Sequence, residues 1–485
     1  MKSTGNGRQH AGRSNSMSSV QGDLLASSQA CAQSRLPSHS LRIGYIDGQP
    51  KRVNERAVDD QWVTFMKEHA ELVAIKPFQM MKLFGGSLPH WHDQYPHSTA
   101  VLVERLRLWV QQTGVNTIYV NVPALIPYLM HARNQGHIPL RFFIIAHSVG
   151  SEYWIKQWVA IAPLLQREDT LLCTTNSAYR ALLNISPIYE MCLQEPLCIS
   201  IPDKDEPNPM QRDEGGARQL LCIGRIEDVK NIHHVMELVH HVRAKGHNVH
   251  LTIAGEYTGA NNAQIEHYRN RMQELENQYE CSSYVTWTGA VYGSQKEQLL
   301  VETDILLNLS TDPGETFGYN LLEAKAAGIP VVCTKWDGFK DIVTEHVDGV
   351  FIPVHWEADI PQIDVHTGVS IVCNLLSDEQ LLANMRNEAK GHVNTFDYKL
   401  VMPRIIEHLA TQTSLSMITF DPPSEGLLLQ PLSEIHAYST SFLHHLNWEH
   451  RNILSLLAEP SVCSYEQWMP LCKPIIGHFA DGGIT

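Results

Sequence analysis

DPGETFGYNLLEAKAAGIP, residues 312–330, is the stretch that decides the fold of this chain. The apolar run ILLNLS at residues 305–310 precedes it and has the length of a buried strand. The helix that the stretch predicts ends at Gly328 and Pro330, and the run VVCT at residues 331–334 begins another strand. Strand, helix and strand in this order are the unit from which parallel sheets are built.

Two carboxylates, Glu315 and Glu323, lie eight positions apart in this stretch. On one helix they would point broadly to the same side, ~12 Å apart at ~1.5 Å per residue. The amides of the first turn lack intrahelical partners, and with the helix dipole they suit a phosphate. We therefore predict a nucleotide-sugar site in which the carboxylates accept hydrogen bonds from sugar hydroxyls. The alternative is an amphipathic helix with two surface glutamates.

Size and charge limit the class of protein. The 485 residues suffice for two doubly wound domains, since a domain typically has roughly 100–200 residues. The net charge of −15 argues against broad binding to nucleic acid or to anionic lipid, although a local basic patch stays open. From this charge we expect no nucleic-acid partner. We also expect no transmembrane segment, because no apolar run approaches the roughly 20 residues that span a bilayer. Peripheral membrane contact is left open.

The ten cysteines are scattered and form no CxxC pair. They are typical of reduced core thiols in a cytoplasmic protein. The N-terminal residues are rich in Ser, Gly, Gln and Ala and lack the apolar centre of a signal peptide, so we expect a disordered tail.

Strand-like and helix-like segments alternate along two regions, which predicts parallel sheets covered on both faces. The first region has strands at about 41–48, 115–121, 140–147 and 170–175, with helices at 99–113, 124–135 and 152–166. A polar, proline-rich segment follows, and a second alternating series begins at Gln219. The predicted organisation is a tail (1–38), a first Rossmann-like acceptor domain (39–205), a linker (206–217), a nucleotide-sugar-binding domain (218–375), closing helices (376–412) and an extension of unknown role (413–485).

Arg225 and Lys230 follow the first strand of the second region, in the segment Gly224-Arg-Ile-Glu-Asp-Val-Lys-Asn231. In a doubly wound domain the end of that strand lies at the mouth of the ligand cleft. A guanidinium fork and a mobile ammonium could neutralise the charge that grows on a departing nucleoside diphosphate. Alone, such a pair is more often surface charge.

The ordered series of these motifs resembles the C-terminal half of retaining glycosyltransferases of family four. The series comprises Gly224-Arg225…Lys230-Asn231, Ala254-Gly-Glu256, Thr288-Gly-Ala-Val291-Tyr292 and Glu315-x7-Glu323, and the similarity covers roughly residues 220–353. The resemblance implies an α/β protein of GT-B architecture, with two facing Rossmann-like doubly wound domains; we add to it a C-terminal helical extension.

The resemblance also implies roles for individual residues. Arg225 and Lys230 would bind the donor diphosphate, Glu323 the ribose and Glu315 the transferred sugar. Losing either cation would then depress turnover more than affinity, and losing Glu323 would weaken donor binding. Gly224 would lie at the mouth of the cleft, and the other donor contacts would come from the base-lining segment and from backbone amides: Val291, Tyr292, Phe317, Gly318, Tyr319 and Asn320.

In the first region, His147 resembles the family's histidine that faces the donor sugar, where it could stabilise a cationic, oxocarbenium-like centre. A histidine held only by local backbone is the alternative. The family's pair of glycines after the first strand is reduced here to Gly48, and the segment Trp336–Asp341 departs from the usual Gly-Gly-x-x-Glu. We expect that segment to form a similar turn at the cleft rim.

His90, His92, Asp93 and His97 are residue types that bind metals, yet a lone H-x-H in a loop is usually not a metal site. We expect no metal and no cofactor; a loop facing the acceptor is the other interpretation.

The sequence thus predicts a cytoplasmic retaining glycosyltransferase that moves a sugar from a nucleotide diphosphate donor to a hydroxyl acceptor. The acceptor could be a glycan, a lipid-linked molecule or a small molecule. Two alternatives stay open: a nucleotide-sugar epimerase, and a non-catalytic GT-B protein that binds a donor or a partner enzyme. A homo-oligomer formed through residues 413–485 is also left open.

Overall fold

The structure is a computed structural model. It describes residues 41–411 apart from 48–57, 88–89, 92–93, 95–96, 121–124, 150–153, 155–156, 159–160, 202–215, 260, 313–314, 316 and 358–359. The predictions made for the tail, for Gly48, for most of the linker and for residues 413–485 lie outside the described residues.

The first sheet has six parallel strands in the order β2-β1-β3-β4-β5-β6. They are β1 (Arg42–Ile46), β2 (Glu71–Ile75), β3 (Thr117–Tyr119), β4 (Arg141–Ile145), β5 (Thr170–Cys173) and β6 (Leu193–Gln194). Strands β1, β3, β4 and β5 match predicted segments and are almost wholly buried. Strand β2 was not predicted from the sequence, because its residues are mostly exposed or half-buried and its apolar signal is weak.

Helices cover this sheet: α1 (Val58–Lys67), α2 (Pro77–Leu83), α3 (His97–Thr113), α4 (Ile126–Gly136) and α5 (Asn176–Ile185). Helices α3 and α4 confirm two predicted segments. The predicted helix at 152–166 is too long, because a 3₁₀ turn occupies Ala162–Leu164. Pro163 lies in that turn and lacks the N–H that an α-helix would need there.

The second sheet also has six parallel strands, in the order β12-β11-β10-β7-β8-β9. They are β7 (Arg218–Ile223), β8 (Val249–Ala254), β9 (Val285–Gly289), β10 (Ile305–Asn308), β11 (Val331–Thr334) and β12 (Gly349–Ile352), followed by an antiparallel hairpin of β13 (Val354–Glu357) and β14 (Ile360–Ile363). The chain first adds strands on one side of β7 and then on the other. The gap between the carboxyl ends of β7 and β10 is therefore the switch point at which doubly wound sheets bind ligands.

The helices of the second half are α6 (Ile232–Ala244), α7 (Asn262–Gln278), α8 (Gly293–Glu302), α9 (Tyr319–Ala326), α10 (Phe339–Ile342), α11 (Val365–Ser377), α12 (Glu379–Val393) and α13 (Tyr398–Thr411). The long helical pattern predicted after residue 378 is two helices separated by a 3₁₀ turn at Asn394–Phe396.

Helix α13 returns to the first half of the chain. Tyr398 stacks on Phe65 of α1 at 4.2 Å between ring centroids. The Arg404 guanidinium donates to both carboxylate oxygens of Glu195, at 2.9 and 2.6 Å. Buried residues of both sheets and of α13 belong to one hydrophobic cluster. The last helix thus ties the two halves together by apolar packing as well as by charge.

The seven cysteines among the described residues are free and buried. Within the same part of the chain, no helix combines the length and the apolar composition that crossing a bilayer would require.

Acid sensitivity follows from His131, which is 3% exposed on α4. Burial lowers its pKa from 6.5 to about 4. Between these two pH values His131 binds a proton in the unfolded chain but not in the folded protein. The folded state therefore loses stability as the pH falls from about 6.5 towards 4. We expect His131→Leu to remove about 2–3 kcal/mol of the stability difference between pH 7 and pH 4.5. Urea unfolding at pH 7 and at pH 4.5 measures the free energy of unfolding of each variant. His267→Leu, on the exposed side of α7, is the control. Equal pH dependence in wild type and H131L would contradict the prediction.

Candidate functional site

Two glycines, one after β7 and one after β8, lie against each other. Gly224 has φ +149° and donates its N–H to the Ala254 carbonyl at 2.9 Å. A Cβ placed on Gly255 would lie 1.8 Å from the Gly224 carbonyl oxygen. Only glycine fits at position 255. The close approach of the two glycines fixes where Arg225, the residue after Gly224, leaves the sheet.

Gly255→Ala is therefore expected to destabilise the fold by about 2–4 kcal/mol, because backbone cannot move aside as a flexible side chain could. Urea unfolding measures the loss. Gly391→Ala on α12 is the matched control, since a Cβ there meets nothing within 4 Å. In a helix interior that change should be neutral or stabilising by up to about 1 kcal/mol. Equal stability of the two variants would contradict the close packing at Gly255.

Two cations from this loop meet two carboxylates from the segment after β10. Lys230 Nζ lies 2.5 Å from Glu315 Oε2 and 2.9 Å from Asp312 Oδ2. Arg225 Nη2 lies 3.1 Å from the same Asp312 oxygen, and its Nη1 pairs with Glu227. The predicted residues Arg225, Lys230 and Glu315 therefore converge at the switch point between β7 and β10.

Lys230 is less mobile than the sequence suggested. Its side chain is only 14% exposed, and both carboxylates hold it. Burial alone would lower the pKa of its ammonium, but Glu315 and Asp312 outweigh burial and the pKa is raised. Lys230 is thus positively charged throughout the neutral range and lies between two carboxylates.

Asn231 holds the loop that carries both cations. It adopts a left-handed conformation with φ 53°, which asparagine tolerates better than most residues. Its Nδ2 donates to the Leu309 carbonyl at 2.9 Å and to Thr311 Oγ1 at 2.8 Å. The loop after β7 is thereby fastened to the segment after β10.

Asn320 makes the same connection from the start of α9. Its Nδ2 donates to the Ile223 carbonyl at the end of β7, at 2.8 Å. Its Oδ1 accepts from Asn308 Nδ2 at the end of β10, at 3.2 Å. The side chain of Asn320 thus positions the first turn of α9 at the switch point.

Glu315 does not lie on a helix with Glu323, which corrects the prediction from the sequence. Helix α9 begins only at Tyr319, after Gly318 with φ +104°. A Cβ on Gly318 would lie 2.7 Å from the Phe339 ring, so both conformation and packing require glycine there. Glu315 is placed instead by its loop, where its N–H donates to the Asp312 carbonyl at 3.0 Å.

Phe317 is a core residue, 4% exposed. Its ring packs edge-on against Tyr319 and Phe396, at centroid distances of 5.6 and 6.2 Å. The side chain of Phe317 anchors the turn that precedes α9. The predicted ligand contact of Phe317 is one made by its backbone, and it stays a prediction.

Glu323 pairs with a lysine that the sequence analysis missed. Glu323 Oε1 lies 2.5 Å from Lys296 Nζ, and both side chains are about a quarter exposed. Lys296 lies on α8, one turn after Val291 and Tyr292, which precede that helix. Val291 is half-buried and Tyr292 is exposed. Its position four residues after Tyr292 could have indicated that Lys296 lies near the site. No motif in the sequence distinguishes it from other lysines.

His147 follows β4 of the first sheet and is half-buried; its N–H donates to the Ile145 carbonyl at 2.9 Å. The segment Trp336–Asp341 forms a turn that leads into α10, and Asp341 Oδ2 accepts from the Ser177 N–H at the start of α5, at 3.4 Å. This segment of the second half thus contacts the first half.

In the part of the chain that the structure describes, no three His, Cys, Asp or Glu side chains are arranged to hold a metal. His90 and His97 are both exposed there. His92 and Asp93 lie outside that part.

Part of the chain is similar to known glycosyltransferases. Residues 204–391 match the family described as glycosyl transferases group 1. An uncharacterized glycosyltransferase of Methanocaldococcus jannaschii is 28% identical over 199 residues, which are 40% of this chain and 47% of that protein. The phosphatidyl-myo-inositol mannosyltransferase of Mycolicibacterium smegmatis is 30% identical over 93 residues, 19% of this chain and 22% of that protein. The chain therefore matches about half or less of the length of these curated relatives.

Among solved structures, HepE of Anabaena in complex with UDP and glucose superposes with a TM-score of 0.58 and 16% identity. The superposition covers 77% of this chain and all of that one. Together with the two doubly wound sheets, this likeness confirms the predicted GT-B fold. Residues 204–391, which match the group 1 glycosyl transferases, include the whole cluster from Gly224 to Glu323.

Proposed function

We propose that the protein is a retaining glycosyltransferase that moves a sugar from a nucleotide diphosphate donor to a hydroxyl acceptor. The observation that carries the proposal is the convergence of Lys230 and Arg225 on Glu315 and Asp312, at the switch point and beside the start of α9. Two cations and the first turn of a helix are what a diphosphate needs. The match to group 1 glycosyl transferases over the same residues supports it.

The donor would occupy the site in one orientation. Its diphosphate would lie between the cations and the first turn of α9. Its ribose hydroxyls would donate hydrogen bonds to Glu323, whose negative charge strengthens them. The sugar would then lie over Glu315, whose carboxylate would exchange part of its contact with Lys230 for sugar hydroxyls. Val291 and Tyr292 would line the base.

The reaction would separate charge at the bond between the sugar and the diphosphate. Lys230 and Arg225 would stabilise the negative charge that develops on the leaving phosphate. His147, from the first sheet, would face the cationic centre on the sugar. In front-face transfer the leaving phosphate itself takes the acceptor proton, so no further base is required, and closure of the two halves would exclude water.

A panel of nucleotide-sugars tests the proposal. The purified protein is incubated with each sugar nucleotide, with and without simple hydroxyl acceptors, and nucleoside diphosphate is measured. Release of nucleoside diphosphate, with a product whose anomeric proton signal matches the donor configuration, is the expected result. Conversion of one nucleotide-sugar into another would indicate an epimerase instead. Binding without turnover would indicate a non-catalytic protein.

A further inference from the structure

Asp312 belongs to the stretch that decides the fold, yet neither the sequence motifs nor the proposed donor contacts give it a role. Its Oδ2 contacts both cations, Lys230 Nζ at 2.9 Å and Arg225 Nη2 at 3.1 Å. The side chain is only 13% exposed. A single carboxylate oxygen therefore draws together the two groups that would hold the diphosphate.

The backbone around Asp312 is fastened on both sides. Trp336 Nε1 donates to the Asp312 carbonyl at 2.9 Å, and the Glu315 N–H donates to the same carbonyl at 3.0 Å. The Asp312 N–H donates to Ser310 Oγ at 3.2 Å. With the backbone fixed and a short side chain, the carboxylate stays beside the cations when a ligand arrives.

The charges of the cluster leave an excess of negative charge. Two cations, Arg225 and Lys230, face three carboxylates, Glu227, Asp312 and Glu315. In the proposed complex Glu315 turns to the sugar hydroxyls, whereas Asp312 keeps its contacts with the two cations. It therefore remains a negative charge close to the phosphates.

That charge affects the donor and the product differently. Each phosphate of a nucleotide-sugar carries one ester and one anhydride bond and so has one ionisable oxygen, whereas the terminal phosphate of a nucleoside diphosphate can lose a second proton with a pKa of about 6. Near neutral pH the product therefore carries about one more negative charge than the donor. Repulsion from Asp312 acts more strongly on the product.

We propose that Asp312 is a positioning residue that holds Arg225 and Lys230 side by side and makes the site release the nucleoside diphosphate more readily than the nucleotide-sugar. The inference rests on the proposed function and concerns the balance between substrate and product at the same site. It predicts a specific change in relative affinity, which a purely structural role of Asp312 would not produce.

The test is calorimetric titration of the full chain at pH 7.5 with UDP and UDP-glucose, and with GDP and GDP-mannose. Asp312→Asn keeps an acceptor oxygen and removes the charge. It should tighten binding of the nucleoside diphosphate by about tenfold and binding of the nucleotide-sugar by less than about threefold. Asp228→Asn is the matched control, because Asp228 lies in the same loop, is largely exposed and pairs with Arg271 at 3.0 Å. Its two affinities should keep the wild-type ratio.

A second variant and a pH series keep the test independent of folding. Asp312→Ser also removes the charge and should shift the ratio in the same direction. At pH 5.5 the product is largely protonated, so wild type and D312N should differ less than at pH 7.5. An unchanged ratio in both folded variants would overturn the role of Asp312 and leave the transferase proposal intact. Failure of the wild-type protein to bind any of the four ligands would overturn the proposal for these donors, and the inference with it.

Discussion

Replacing Lys230 with methionine is expected to lower kcat by about 1,000-fold while changing donor affinity by less than about tenfold. The ammonium lies 2.5 Å from Glu315 and is held by Asp312 as well, so it is in place before the reaction begins. Its main contribution should come when negative charge grows on the leaving phosphate, because an interaction that strengthens in the transition state raises kcat more than affinity. The measurements are donor titration and initial rates with the sugar nucleotide that the panel identifies.

The control for this change is Lys335→Met, a half-exposed lysine of the same half that pairs with Glu345 at 3.4 Å. Lys230→Met also leaves Asp312 and Glu315 without their shared cation, so unfolding is measured in parallel to show that the variant is folded. Because the pKa of Lys230 is raised above its usual 10.5, loss of its charge should not limit the wild-type rate at any pH below that value. A variant that loses affinity but retains its kcat would contradict the role assigned to Lys230.

Replacing Glu323 with alanine is expected to weaken donor binding by about 10- to 100-fold, since a carboxylate that accepts from ribose hydroxyls contributes about 1.5–3 kcal/mol. Rates at saturating donor should change far less, because the ribose is remote from the bond that breaks. The contact of Glu323 with Lys296 makes part of this loss indirect.

A double-mutant cycle separates the two contributions. Lys296→Met should weaken donor binding only modestly, by releasing the carboxylate it positions, and the double variant should resemble Glu323→Ala. Donor isotherms that are unchanged in Glu323→Ala would remove this residue from the site. Additive losses from the two single changes would show that Lys296 binds the donor independently of Glu323.

The second half of the molecule could be predicted closely from the sequence. Strand β11 has the predicted bounds, because buried strands in a parallel sheet are continuous apolar runs with clear breaks. The convergence of Arg225 and Lys230 with Glu315 was also predictable, since strand ends in such a sheet meet at one edge. The first half gave weaker signals, as its missed strand β2 has exposed and half-buried residues.

Contacts between segments that are far apart in the chain could not be predicted from the sequence. The separation of Glu315 and Glu323 was predicted on the assumption that both lie on one helix. That helix begins only at Tyr319, after Gly318, so Glu315 lies outside it. Asp312 and Lys296 each pair with a residue far away in the chain, at positions where no local pattern indicates an ion pair. Such pairings depend on the tertiary structure, because only the folded chain brings the partners together. The roles of His147 and of the individual donor contacts stay predictions.

A crystal structure of the protein with the nucleoside diphosphate of its donor tests the central claim most directly. The account predicts that the diphosphate lies within hydrogen-bond distance of Lys230 Nζ and of the amides at the start of α9, with the ribose on Glu323. A nucleotide bound away from the gap between β7 and β10, with the ion pairs of Lys230 undisturbed, would contradict it.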